Sequence, residues 1–150
     1  MRAVISRVAN ASVAVDGETV SEIGQGLLVL LGVTAEDGQR EIELTARKIA
    51  DLRVFDEAGA DDEKNIEKSV TEIGGEILLV SQFTLYGDIR KGRRPSWTNA
   101  APGGAAEPVY NQVADRLRTV HGLTVKTGVF GAMMAVESVN DGPFTLWWEC

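Results

Sequence analysis

The sequence predicts one α+β domain over residues 1–150, rich in strands and carrying two main helices. Three observations lead there. Short Val- and Ile-rich segments alternate in polarity near both ends of the chain, as half-buried strands do. Two continuous apolar runs, "LLVLLGV" at 27–33 and "EILLV" at 76–80, have the character of strands covered on both faces. Two stretches read as helices: 38–52, with the apolar spacing of an amphipathic helix, and 105–120.

In chain order, "RAVISRV" and "ASVAVDG" read as two strands joined by a short turn at Asn10. Asp16-Gly17 is a hairpin signal, and "ETVSEI" follows it as a third strand. Gly24-Gln25-Gly26 breaks the chain before the first buried run. The helix at 38–52 carries Ile42, Leu44, Ala46, Ile49, Ala50 and Leu52. "RVF" is a short strand, and the acidic stretch "DEAGADDEKNIEKS" reads as an exposed loop. Gly74-Gly75 precedes the second buried run. Residues 88–103 form a long polar loop, and the second helix places Pro108 in its first turn, where proline is tolerated. "LTVKTGVF", "AMMAVESVN" and "FTLWWE" are strand-like, and nothing repeats or reads as a linker.

Composition narrows the function. Of 150 residues, 44% are hydrophobic and 25% charged, an ordinary globular balance. A net charge of −7 argues against non-specific coating of nucleic acid, which needs many cationic contacts. One local exception is "RKGRRP", which gathers Arg90, Lys91, Arg93 and Arg94. Cys150 is the one cysteine, so no disulfide framework is expected, in keeping with a reducing cytoplasm. The start "MRAVISRV" lacks the apolar segment of a secretory leader, and the longest apolar run is too short to span a bilayer; a cytoplasmic protein with no membrane partner is expected.

The chemistry available is restricted. His121 is the sole histidine and flanks the end of the second helix, which leaves a Ser–His–Asp arrangement without its base. Asp61, Asp62 and Glu63 cluster without calcium-loop spacing and read as a solvated face, so neither a metal nor another cofactor is expected. Two segments remain: "SQFTLYGD" at 81–88 and "VNDGPFT" at 139–145. From pattern alone, the first is equally a strand with Gln82 and Thr84 on one face and Phe83 and Leu85 on the other. The second is equally a plain turn.

Together, these segments resemble the D-aminoacyl-tRNA deacylase family. Its "SQFTL" motif matches Ser81-Gln82-Phe83-Thr84-Leu85, and its Asn-x-Gly-Pro-Val-Thr motif matches residues 140–145, with Phe144 where Val is usual. "MRAVISRV", "IGQGLLVLLGV", "RKGRRPS" and "FGAMM" extend the likeness along nearly the whole chain. The resemblance implies a barrel-like sheet and hydrolysis of the ester joining a D-amino acid, or glycine, to the 3′-terminal adenosine of tRNA. It implies aminoacyl-tRNA as partner and a homodimer. In that dimer, a cis Gly142–Pro143 segment crosses into the other subunit's pocket and rejects L-amino acids with main-chain atoms. Carried over, Ser81, Gln82, Phe83 and Thr84 form the catalytic segment, with main-chain N–H groups at its end stabilising the oxyanion. Arg7 braces the Gly-Pro segment, its fork of donors suited to the Gly142 and Pro143 carbonyls, and Phe130 and Met134 contact adenine. The basic loop at Arg90, Lys91, Arg93 and Arg94 is expected to meet tRNA phosphates. The alternatives are a related deacylase of relaxed chirality, which has an aromatic after Gly-Pro as Phe144 is here, and a non-catalytic tRNA-binding module.

Overall fold

A computed structural model describes residues 1–56 and 66–150. In order these form β1 (Arg2–Val15), β2 (Glu18–Ile23), β3 (Gly26–Gly32), α1 (Gln39–Asp51), β4 (Arg53–Asp56) and β5 (Ile66–Ser69). There follow β6 (Glu76–Ser81), a 3₁₀ turn at Phe83–Tyr86, α2 (Gly103–Thr119), β7 (Thr124–Thr127) and β8 (Met134–Glu149). The main sheet runs β2-β1-β3-β6-β7, with β8 paired to β1; β4 and β5 form a separate antiparallel pair.

The expected turn at Asn10 is a correction. β1 is one continuous strand of 14 residues. Arg2–Val8 pairs with β3 and Ala11–Val15 with β2, while β8 runs antiparallel along both halves. Ala3 and Ile5 enter one core, whereas Val8, Ala11 and Val13 enter the other. The three-residue step from Val8 to Ala11 breaks the period of two, and the β1–β8 register shifts there, as at a β-bulge. Exposed Ala9 and Asn10 interrupt the alternation in the sequence much as a turn would. The hairpin at Asp16-Gly17 is as expected: both residues have positive φ, +51° and +83°, the conformation of a tight two-residue loop.

The two apolar runs lie side by side. β3 and β6 pair in parallel from Gly26↔Glu76 to Leu31↔Ser81, and β6 pairs in parallel with β7. Parallel neighbours need crossover connections, and α1 and α2 lie in them. Leu27, Val29, Ile77 and Leu79 pack against Ala46, Ile49, Val113 and Leu117 of the helices. Leu28, Leu78 and Val80 face the other way, against Val8, Val13 and Ile23. Burial on both faces is why these strands read as unbroken hydrophobic runs. The sheet curls until Ser21 Oγ donates to the Thr127 carbonyl at 2.6 Å, linking β2 to β7. The architecture is thus the expected α+β fold with a nearly closed, barrel-like sheet. No helix among the described residues is long and apolar enough to cross a membrane.

Three other expectations change. Ile66–Ser69 is a strand paired with β4 instead of exposed loop; Asp61, Asp62 and Glu63 lie outside the described residues. α2 begins at Gly103, so Pro108 falls beyond the first turn and the Gly104 carbonyl has no N–H to accept from it. "AMMAVESVN" and "FTLWWE" belong to one strand, β8, whose Asn140–Thr145 stretch leaves register with β1 without forming a turn between separate strands.

Gly26 starts the β3–β6 pairing because nothing larger fits: a Cβ there would sit 1.9 Å from the Glu76 carbonyl oxygen. Gly26→Ala must separate the two central strands. We expect a loss of about 3 kcal/mol, within the upper range for overpacking, measured as a lowered denaturation midpoint at unchanged slope.

Candidate active site

A pocket of about 430 Å³ opens beyond the carboxyl ends of β3 and β6, where parallel strands commonly present ligand sites. Its walls are mostly apolar and include Ala101, Ala106, Tyr110, Phe130 and Met134. Ser81, Gln82 and Phe83 supply one polar side. Tyr110 is fixed by its hydroxyl, which donates to the Leu79 carbonyl at 2.7 Å, and its ring packs on Phe130 with centroids 5.7 Å apart. Gly128 admits Met134, since a Cβ there would come within 2.5 Å of the Met134 sulfur.

"SQFTLYGD" does not continue as an alternating strand. Ser81 ends β6, the Gln82 N–H donates to the Leu31 carbonyl at 2.7 Å, and Phe83–Tyr86 turn as a 3₁₀ helix. The turn folds against Gly32, where a Cβ would lie 3.0 Å from the Gln82 carbonyl oxygen and 3.2 Å from the Tyr86 ring. Such a turn leaves its first N–H groups without internal partners. Those of Phe83 and Thr84 make no hydrogen bond to any described residue. The free donors therefore stand at the middle of the motif and not, as expected, at its end: the Leu85 N–H is taken by the Gln82 carbonyl and the Gly87 N–H by that of Thr84.

Among the described residues, the side-chain nucleophiles lack a base. The Thr84 hydroxyl accepts a short hydrogen bond from the Gln82 amide. His121 lies past the end of α2, its N–H toward the Arg116 carbonyl. Cys150 sits 3.4 Å from the Thr45 hydroxyl, against the helical core. No group of three or more His, Cys, Asp or Glu placed to hold a metal occurs among the described residues.

Two arginines on β1 hold the surroundings, and only one was legible in the sequence. Arg2 donates to the Leu85 carbonyl at 3.1 Å, pairs with Glu149 at 2.7 Å and lies 4.4 Å over the Tyr86 ring, bracing the 3₁₀ turn from outside. Burial pushes the Tyr86 phenol well above its ordinary range, so it stays neutral. Arg7 is buried. It donates to the carbonyls of Asp141 at 2.8 Å and Val54 at 2.6 Å, and to the Asp56 carboxylate at 3.2 Å. It thus holds the residue directly before Gly142-Pro143 through the Asp141 carbonyl. Its guanidinium also lies 4.6 Å over Phe144, a ring that packs against the main core.

The structure thus brings Ser81, Gln82, Phe83, Phe130 and Met134 to one pocket, with Thr84 on the adjoining turn. Gly142 does not line that pocket in its own chain. Arg90, Lys91, Arg93 and Arg94 occupy an exposed loop pinned at its base by paired Asp88–Ser96 hydrogen bonds of 2.8 and 3.0 Å. Arg90 turns back onto Asp88, and that bond holds the Asp88 carboxyl well below the usual carboxylate range. Lys91, Arg93 and Arg94 have no ion-pair partner among the described residues. Trp97, which no sequence pattern marked, packs edge-to-face on Phe83.

These features define a class: an α+β protein whose pocket offers main-chain donors and, among the described residues, no side-chain nucleophile paired with a base. The model of the family described as D-Tyr-tRNA(Tyr) deacylase matches residues 4–149, and the chain belongs to that family. A D-aminoacyl-tRNA deacylase of Kineococcus radiotolerans is 55% identical over 147 residues, covering 97% of each chain. One of Roseiflexus castenholzii is 53% identical over 97% of this chain and 90% of its own. A solved structure described as "c-Myc DNA Unwinding Element Binding Protein" superposes with a TM-score of 0.90 at 45% identity, covering 100% of this chain and 99% of that one. A probable eukaryotic D-amino acid tRNA deacylase shares the fold, with a TM-score of 0.83 at 16% identity over 98% of this chain and 97% of that one.

Arg7→Ala leaves two main-chain carbonyls without their charged donor. We expect a stability loss of about 2–4 kcal/mol, read by chemical denaturation. Arg7→Lys should recover less than half of it, because an ammonium does not reproduce the planar fork.

Proposed function

We propose that this protein hydrolyses the ester of D-aminoacyl-tRNA, releasing the free D-amino acid and tRNA. On this reading it also accepts glycyl-tRNA mischarged on tRNA(Ala), and it acts in the cytoplasm as a homodimer of 150-residue deacylase domains. The observation that carries the reading is the pair of unbonded N–H groups at Phe83 and Thr84, on the turn beside an apolar pocket of small-molecule size. An ester is already an activated acyl group, so water can attack it once the developing oxyanion is held. Each well-placed donor is worth about 10²–10³ in rate. The carbonyl oxygen faces the turn, and adenine lies against Phe130 and Met134. The 3′ oxygen of the ribose leaves and takes a proton. The neighbouring 2′-hydroxyl supplies the polar group that the protein side chains lack, which accords with a site without histidine.

Chirality is assigned to Gly142–Pro143, held cis and inserted into the other subunit's pocket. Two observations support this. Gly142 does not line the pocket of its own chain. β8, which carries it, also exposes the apolar side chains Val139, Leu146 and Trp147, which are available to a partner. Main-chain atoms there would occupy the space of an L side chain whatever its identity. Phe144, the departure from the family motif, has its ring under Arg7 and against the core, which favours the D-specific reading over relaxed chirality.

The test is hydrolysis of D-tyrosyl-tRNA against L-tyrosyl-tRNA. Selective loss of the D ester supports the proposal, equal loss of both indicates relaxed chirality, and loss of neither indicates a binding module. Thr84→Ala should retain measurable deacylation, and an acyl group trapped on Thr84 would overturn the water mechanism. Replacing Arg90, Lys91, Arg93 and Arg94 together by Ala should reduce the log–log salt slope of tRNA binding by about 2–3. An unchanged slope removes the basic loop from the interface.

A further inference from the structure

We infer that Trp97, with Phe83, forms a stacking platform for the nucleobase that precedes the terminal adenosine of the tRNA. This extends the function proposed above and rests on it. Phe83 is 56% exposed and Trp97 42% exposed, large values for rings that touch each other at 5.4 Å and 72°. Phe83 lines the pocket and Trp97 does not, so the pair runs from the pocket outward. The platform is built and not incidental. Gly87 lets the indole settle on the main chain, since a Cβ there would be 2.6 Å from Trp97 Cζ3. The Asp88–Ser96 bridge fixes the residue directly before Trp97.

The occupant follows from the charge beside it. That bridge closes the loop bearing Lys91, Arg93 and Arg94, which have no ion-pair partner among the described residues. Exposed aromatic rings beside uncommitted cations are the means by which proteins hold single-stranded RNA: bases stack and phosphates pair. The 3′ end of tRNA is single-stranded, and a base neighbouring the bound adenosine is within reach of a platform that begins at the pocket rim.

The test compares wild type, Trp97→Leu and Trp97→Phe on three substrates. These are D-tyrosyl-tRNA, the same tRNA with an abasic penultimate nucleotide, and the D-tyrosyl ester of adenosine. Leucine keeps apolar cover over Gly87 and Phe83 but has no π face. Its loss in kcat/KM should be about 5- to 100-fold larger on tRNA than on the adenosine ester, carried mainly by KM. Phenylalanine should restore most of it, and on the abasic tRNA the leucine variant should lose nothing further. Equal losses on tRNA and adenosine ester, additive losses from the variant and the abasic site, or a changed oligomeric state of Trp97→Leu would each overturn the inference. If wild type hydrolyses no D-ester, the proposed activity falls, and uncharged tRNA decides the platform separately. Weaker binding of abasic than intact tRNA by wild type, with no such difference for Trp97→Leu, upholds it; equal binding of both by wild type overturns it.

Discussion

The antiparallel pairing of β1 with β8 is the interaction on which the rest of this molecule hangs. It runs from Arg2↔Glu149 to Val15↔Met134 and so joins the two ends of the sequence. β1 must serve β3 with one half and β2 with the other, and the bulge between them lets it change partners without ending. The same strand carries both bracing arginines. Arg2 reaches the 3₁₀ turn and Arg7 reaches the segment around Asp141. A shift in β1–β8 register by one residue would turn both side chains to the wrong face and release both segments together.

The parallel pairs then decide where a ligand can go. β3 and β6 end together, and the chain leaves each differently: after Gly32 it runs on toward α1, whereas after Ser81 it folds at once into the tight turn. The space between these exits, roofed by the start of α2, is the pocket. Its polarity is one-sided. Helix, strand and loop contribute mostly apolar walls, and Ser81 and Gln82 bring polar side chains to one edge.

Much of the fold was legible because its signals are local. Asp16-Gly17, the runs at 27–33 and 76–80, and the period of α1 each state their conformation within a few residues. The features that are not legible in the sequence depend on distant partners. The Ala9–Asn10 interruption looks like a turn unless β8 is known to run alongside it. Asn140–Thr145 looks like a turn unless Arg7 is known to hold it. Ile66–Ser69 is polar and becomes a strand through β4. For the site, Phe130 and Met134 were recognised through the family motifs, since nothing in their spacing brings them to Ser81. Arg2 and Trp97 gave no signal at all: one is a common surface residue on a strand, the other a lone aromatic in a polar loop.

On the function proposed above, the groups that do the chemistry are peptide N–H donors, and this has a consequence for how the protein tolerates change. Every residue except proline carries the same donor, so substitutions at Phe83 and Thr84 alter the edges of the site while leaving its working atoms present. A scan that truncates side chains one at a time passes over them. Vulnerability is displaced to positions that shape the path of the chain, above all Gly32 and Gly87, where any added carbon meets the turn or the aromatic beside it. Mutational sensitivity in this protein should accordingly map onto its glycines more faithfully than onto its hydroxyls.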